Sequence, residues 1–259
     1  MKKKLSAFMA VVILVCAVTV FSSCGKENDS TGSNNATVAE TKNTTSEVSK
    51  IIDAPTEKDA VIDMFNKAIG YVDEFCYSYT KTVKNSVGEL SIGSLSKVNN
   101  AESAFKKVFG EKESNVQYKY KDNKDGFNAN FTKDKLTSDM VVSFGSKKDG
   151  DLIIITVNLP SETNPDEKTG NLSKFTNDYI NVKSVQDELE SFGSSSSATS
   201  IFADNIFMTA EIDANNSTLK KFTIGFNENF TLSGVKLVEV DGSTVTGKMS
   251  AEIEYTEIG

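Results

Sequence analysis

Three thiols, 28 lysines and 36 carboxylates are the groups of this chain that could do chemistry, because histidine, arginine and tryptophan are all absent. Without imidazole there is no Ser-His-Asp or Cys-His relay. Histidine-containing zinc and iron sites are excluded with it. Without guanidinium there is no bidentate fork for phosphate or carboxylate. What remains for catalysis is lysine, tyrosine, cysteine and carboxylates. A pair of carboxylates could hydrolyse a glycosidic bond, since such pairs meet in space and not along the chain. Nothing singles out two acids from 36, however, and tryptophan platforms for a sugar are missing. The sequence Asp122-Asn123-Lys124-Asp125-Gly126 has the look of a calcium loop, but Lys121 occupies the position of the first acidic ligand, so it reads as a turn. No Gly-rich phosphate loop, Ser-x-x-Lys nucleophile or repeat period is present. The chain is read as a non-enzyme, with no catalytic residue, metal ligand or cofactor assigned.

The thiols have different fates. Lys2, Lys3 and Lys4 precede an apolar run from Leu5 to Phe21, and Ser22-Ser23-Cys24-Gly25 follows. A positive segment, an apolar core and small residues before a cut are the parts of an export signal. The arrangement resembles a bacterial lipoprotein signal, with Phe21 where leucine, valine or isoleucine is usual. That resemblance implies cleavage after residue 23, with Cys24 lipidated and the chain held at the membrane on its extracytoplasmic face. Acyl chains there would contribute roughly 0.8 kcal/mol per buried methylene, so two or three suffice for stable anchoring. The other reading is a plain secretory signal or an uncleaved anchor, for which the apolar run is short of the ~20 residues of a spanning helix. Cys16 leaves with the signal, so Cys76 has no partner and core burial alone must stabilise the domain. Among Phe75, Tyr77 and Tyr79, Cys76 reads as a small buried hydrophobe.

Removing residues 1–23 leaves 25 lysines against 36 acids, a net charge of −11. Such a surface repels nucleic acid, whose binding is driven by basic side chains that release counterions. It also disfavours docking on anionic headgroups beyond the lipid itself. Residues 24–52 are rich in Ser, Thr, Asn, Lys and Glu and bury too little apolar surface to order themselves, so they read as a tether. Residues 53–259 are enough for one sizeable core.

The elements that position this chemistry begin with a helix opened at Thr56, with Asp59 as a near capping box. Val61, Phe65, Ala68 and Val72 recur at helical spacing up to Phe75. Phe75, Tyr77 and Tyr79 then alternate with Cys76, Ser78 and Thr80 as in a strand. A short helix is expected from Asn100 to Phe109, with Ala101, Ala104, Phe105 and Val108 inward. Period-two strands follow: Val116 to Tyr120, then Phe127 to Phe131 across a turn at 122–126. Met140 to Phe144 and Leu152 to Leu159 pair across Lys147-Lys148-Asp149-Gly150. Leu152-Ile153-Ile154-Ile155 is apolar on both faces, which predicts a central strand covered on each side, closed by Pro160. Leu172, Phe175, Tyr179 and Val182 fit a short helix, and Ser191 to Ser200 reads as a mobile loop. Four strands are expected last, at Ile206–Ile212, Leu219–Phe226, Gly234–Val240 and Thr244–Tyr255. Their turns fall at Asp213–Asn216 and Asp241-Gly242. Helices followed by a long antiparallel meander define an α+β domain with helices packed on one face of the sheet.

The lipoprotein signal, the tether, the helix from Asp59-Ala60-Val61 to Phe65-Asn66-Lys67-Ala68 and the meander on Ile206–Asp213 and Leu219–Phe226 resemble uncharacterised Gram-positive lipoproteins. Their fold is similar to the lipoprotein-carrier half-barrel group (LolA- and LppX-like). The resemblance covers about residues 53–259 and implies a curved, half-barrel-like antiparallel sheet with helices packed on one face and an apolar gap between them able to hold acyl chains. The arginine some carriers use near their cavity has no counterpart here. Phe65, Ile69, Phe127, Phe131, Ile153, Ile155 and Phe222 are the residues expected to face this interior, either as closed core packing or as the lining of a cavity for a lipid or other hydrophobic small molecule. The alternative is a cell-surface module whose sheet edge or loops contact protein or cell-wall polymer, without a cavity.

Overall fold

The computed structural model describes residues 52–122, 131, 134–166, 169–237 and 240–259. The expected signal, Cys24, nearly all of the tether, Phe127 and the 122–126 turn with its following strand therefore lie outside the described residues, apart from Asp122 and Phe131.

Helix α1 (Lys58–Phe75) carries Val61, Phe65, Ala68, Ile69 and Val72 on one buried face. It starts later than Thr56, at an N-cap of Glu57 that makes no side-chain bond, so the near capping box does not form. Strand β1 (Ser78–Ser91) follows. Tyr79 is buried, but Phe75 and Tyr77 are 58% and 72% exposed, because the chain turns out of α1 before pairing begins. Helix α2 (Ala101–Val108) buries Ala101, Phe105 and Val108 as the spacing requires, with Ala104 at its margin.

The strands after it are β2 (Lys112–Lys119), β3 (Ser143–Asp149), β4 (Leu152–Asn158), β5 (Glu162–Thr163), β6 (Ser194–Ser195), β7 (Ala198–Asp213), β8 (Leu219–Leu237) and β9 (Val240–Thr256). Together with β1 they form one open antiparallel sheet in the order β2-β1-β9-β8-β7-β4-β3, with β5 beside β7 and β6 beside β8. The molecule is thus the α+β fold expected, a curved antiparallel sheet with its helices on one face. Alternation sorts the two faces. Ile153, Ile155, Met208, Ala210, Phe222, Ile224, Ile253 and Tyr255 point to the helices and are buried. The intervening Thr209, Lys221, Thr223, Glu252 and Glu254 make the outer face.

Four expectations are corrected. Strand β4 is second from the edge, not central, and only Ile153, Ile155 and Val157 are fully buried. Ile154 lies between Lys147 and Glu211 in register, on the solvent side. The single helix over Leu172–Val182 is two: α3 (Asn171–Phe175) and α4 (Val182–Ser191). Asn181 separates them by capping α4, its side chain accepting from the Ser184 N–H at 2.8 Å while Ser184 Oγ accepts from Asn181 N–H. The serine tract is not a loop. Ser194 and Ser195 pair with Leu237 and Lys236, and Ala198 already begins β7. The hydroxyls of Ser194 and Ser197 donate to the carbonyls of Lys236 and Ser233, which substitutes for the missing apolar contacts. Finally, the stretches Leu219–Phe226 and Gly234–Val240 belong largely to one unbroken strand, β8, and Asp241-Gly242 lies inside β9, since Leu237 already pairs with Val240.

Gly247 is required by packing. A Cβ on Gly247 in β9 would meet the Phe109 ring at 2.5 Å, and that ring is stacked on Phe230 with centroids 4.5 Å apart. Gly247→Ala is expected to lower stability by about 1–3 kcal/mol, the usual cost of forcing extra atoms into a filled core. Chemical denaturation checks it, and an unchanged midpoint would show that the ring yields freely.

Candidate functional site

The helix face is where the sequence-derived residues converge. Ile155, Ala210, Phe222, Tyr255 and Lys81 stand in one cross-strand row over β4, β7, β8, β9 and β1. Phe222 lies at its middle, 5.7 Å from Tyr255 and 5.9 Å from both Phe65 of α1 and Phe131, measured between ring centroids. Phe131 also meets Tyr255 at 4.7 Å and Tyr79 at 5.4 Å. Among the described residues these rings, with Tyr118 stacked on Tyr79 at 5.2 Å, form one layer between the sheet and α1. Phe65, Phe131 and Phe222 are brought into it. Ile69 is buried farther along α1, and Ile153 and Ile155 are buried on β4 beside the layer, Ile153 opposite Ile212 in register. Phe127 lies outside the described residues.

Sequence reasoning missed the polar groups at the border of this layer. Lys81 is buried on the helix face with its Nζ 5.5 Å from the centre of the Tyr255 ring and 2.6 Å from Asp178 Oδ2. Lys112 reaches Asp178 Oδ1 at 3.1 Å. Burial pushes the Asp178 carboxyl up, but the two lysines more than offset it and leave it below the ordinary value. Burial, with Asp178 adding to it, holds the Tyr255 phenol well above the usual tyrosine range. The clue available in the sequence was a lysine at an odd position of β1, in phase with Tyr79 and Val83.

A second missed group is Glu228 on β8, fully buried on the same face. Its two oxygens accept from the Ile180 N–H, each at 3.2 Å. Across Ala203 in register lies Glu162 of β5, which accepts a short bond from the Asn171 N–H. Burial raises both carboxyls, Glu228 strongly, and the negative charge of Glu162 adds to the rise at Glu228. Glu228 fell in the stretch between two expected strands, so its phase could not be read.

Cys76 is buried, and desolvation pushes its thiol up to about 11, which keeps it protonated and unreactive near neutrality. Among the described residues no group of three or more Cys, Asp or Glu side chains is placed to hold a metal ion.

Fold and site together define an open-sheet α+β domain with an aromatic interior bordered by a buried lysine–aspartate pair. No family model matches the chain, and neither does any curated protein or solved structure.

Proposed function

We propose that this chain is a lipid-anchored extracytoplasmic binding protein, tethered to the membrane through Cys24, that takes the apolar part of an amphiphile between its sheet and α1. The observation that carries this reading is the aromatic layer. Phe65 is fixed to α1 and Tyr79, Phe222 and Tyr255 to strands, whereas Phe131 sits at a bend. A ring at a bend, outside the hydrogen-bonded ladder, leaves at a smaller cost than one on a strand, and its departure would expose an apolar slot flanked by Phe65, Tyr79, Phe222 and Tyr255. Lys81, Lys112 and Asp178 at the border would lie near the polar end of such a ligand. Vacating the slot loses dispersion contacts unless a ligand replaces them, so occupancy and stability are linked.

Native mass spectrometry and solvent extraction of the protein as made in cells test the reading. A co-purifying amphiphile is expected, and re-adding it at a hundredfold excess over Kd should stabilise by about 2.7 kcal/mol. That corresponds to a melting rise of roughly 5–10 °C for a domain of this size. An empty protein with no melting shift across a lipid panel would count against it.

A second reading rests on the sheet edges. Among the described residues strands β2 and β3 end the sheet, and Val142, just before β3, and Phe144, within it, are 69% and 38% exposed. Such an edge can accept a partner's strand. This reading leaves the purified protein empty in the experiment above.

A further inference from the structure

The outer face of the sheet carries a polar track independent of the aromatic layer, and we propose that it binds a neutral glycan chain. A β-bulge between Asp204 and Phe207 begins it, with Asn205 in the left-handed region at φ 51°. Downstream of the bulge Phe207 lies against Gly225, where a Cβ would meet the ring at 2.3 Å, so ring and backbone are in close contact. Asp204 then acts as a template for three amides. It accepts from Asn205 Nδ2 at 3.0 Å, Asn227 Nδ2 at 3.2 Å and Asn229 Nδ2 at 3.1 Å. Asn227 Oδ1 in turn accepts from Ser250 Oγ at 2.8 Å. These bonds fix which end of each amide points where, so the track is preorganised and not a set of free rotors.

Two clefts adjoin along this network. One of about 330 Å³ is bordered by Lys84, Asn205, Phe207, Asn227, Ser250 and Glu252. The next, of about 490 Å³, is bordered by Glu89, Asn229, Thr231, Thr246 and Lys248. Asn227 and Asn229 are successive outward positions of β8, and Ser250 and Lys248 are successive outward positions of β9. The clefts therefore run in series along the strands. From Gly225 to Thr231 the track covers roughly 20 Å at the usual strand rise, room for several sugar rings in a row.

Charge and hydrogen-bonding capacity select the occupant. The lining of each cleft holds one lysine and one glutamate, Lys84 with Glu252 and Lys248 with Glu89. The Asp204 carboxylate beside them is engaged by three amides, so the track offers no cationic patch to an anionic polymer and no free acidic cluster to a cationic one. Amides and hydroxyls both donate and accept, as sugar hydroxyls do. Phe207 supplies the apolar surface against which the C–H face of a pyranose ring can lie.

The test is titration calorimetry on the full chain, held in a detergent without a sugar headgroup. The probes are N-acetylglucosamine, its β-1,4-linked tetramer, cellotetraose and poly(glycerol phosphate). At least one tetramer is expected to bind saturably and about tenfold or more tighter than the monosaccharide, a gap of about 1.4 kcal/mol. Phe207→Ala should abolish this binding. Because that ring also packs on Gly225, Asn229→Ala and Ser250→Ala are the decisive variants, each expected to weaken binding about fivefold or more with melting unchanged. Absence of saturable binding to either tetramer would overturn the proposal. Binding that all three variants leave intact would do the same, as would binding confined to the phosphate polymer. None of these outcomes bears on the amphiphile reading, which concerns the opposite face.

Discussion

Phe222→Ala is expected to remove about 3–5 kcal/mol of stability, the largest loss foreseen for a single side chain here. Phe222 is fully buried, held between Ala210 and Tyr255 in register and in ring contact with Phe65, Phe131 and Tyr255. Its neighbours on β7 and β9 belong to the middle of the sheet, where the backbone cannot move inward to refill the space. Lost transfer energy and an unfilled cavity therefore add. For a domain of about 200 residues the melting point should drop by roughly 6–20 °C. The hollow would be lined by rings and would stay dry, so it should take up benzene or a similar small apolar molecule and recover part of the loss. A change under about 1 kcal/mol in denaturant unfolding would show that the layer is loosely packed.

Glu228→Gln is expected to act in the opposite direction and only above acidic pH. The folded-state carboxyl is raised well above 4.5, first by burial, then by the charge of Glu162, with the single Ile180 N–H opposing. A raised acid contributes no penalty below its unfolded value. As pH climbs from there towards the folded value, the folding constant falls by up to about tenfold per pH unit, because the unfolded chain ionises more readily. Glutamine keeps the shape of the protonated group and cannot ionise. The variant should therefore match the parent near pH 4 and exceed it at pH 7.5. Urea titrations at the two pH values measure this difference. A variant less stable than the parent at pH 7.5 would mean that the carboxylate is ionised and held by a partner.

How much of this was legible in the sequence depended on whether the helix-face residues were apolar. Val61, Phe65, Ala68 and Val72 gave α1 almost to its last residue, and Val245, Met249, Ala251 and Ile253 gave the one-sided β9. Phe65 and Phe222, apolar and in phase with their elements, meet as rings on that face. Reading failed where polar residues occupy that face. Glu228 interrupts β8 in phase with Phe226 and Phe230, so one strand read as two. Lys81 and Asn85 do the same in β1, where both are buried. The serines at 194–200 were mistaken for a loop because their strand pairing is completed by hydroxyl bonds to backbone carbonyls and not by apolar alternation. The capped helix α4 was missed although Val182, Val185 and Leu189 have helical spacing, since Asn181 and Ser184 form a box without the usual Glu or Gln. The pairing of Lys81 with Asp178 joins residues far apart along the chain, and no local pattern encodes it.

Strand β1 has as its central neighbour β9, the last strand, and the tie is reinforced where Thr80 Oγ1 donates to Glu257, 177 positions away, at 2.6 Å. A ribosome delivers β9 some 160 residues after β1. Until then β1 has one face greasy and one side unsatisfied, with β2 alone to shield it. Closure over such a separation is entropically slow, so the growing chain stays adhesive across that interval and depends on whatever escorts it during the wait.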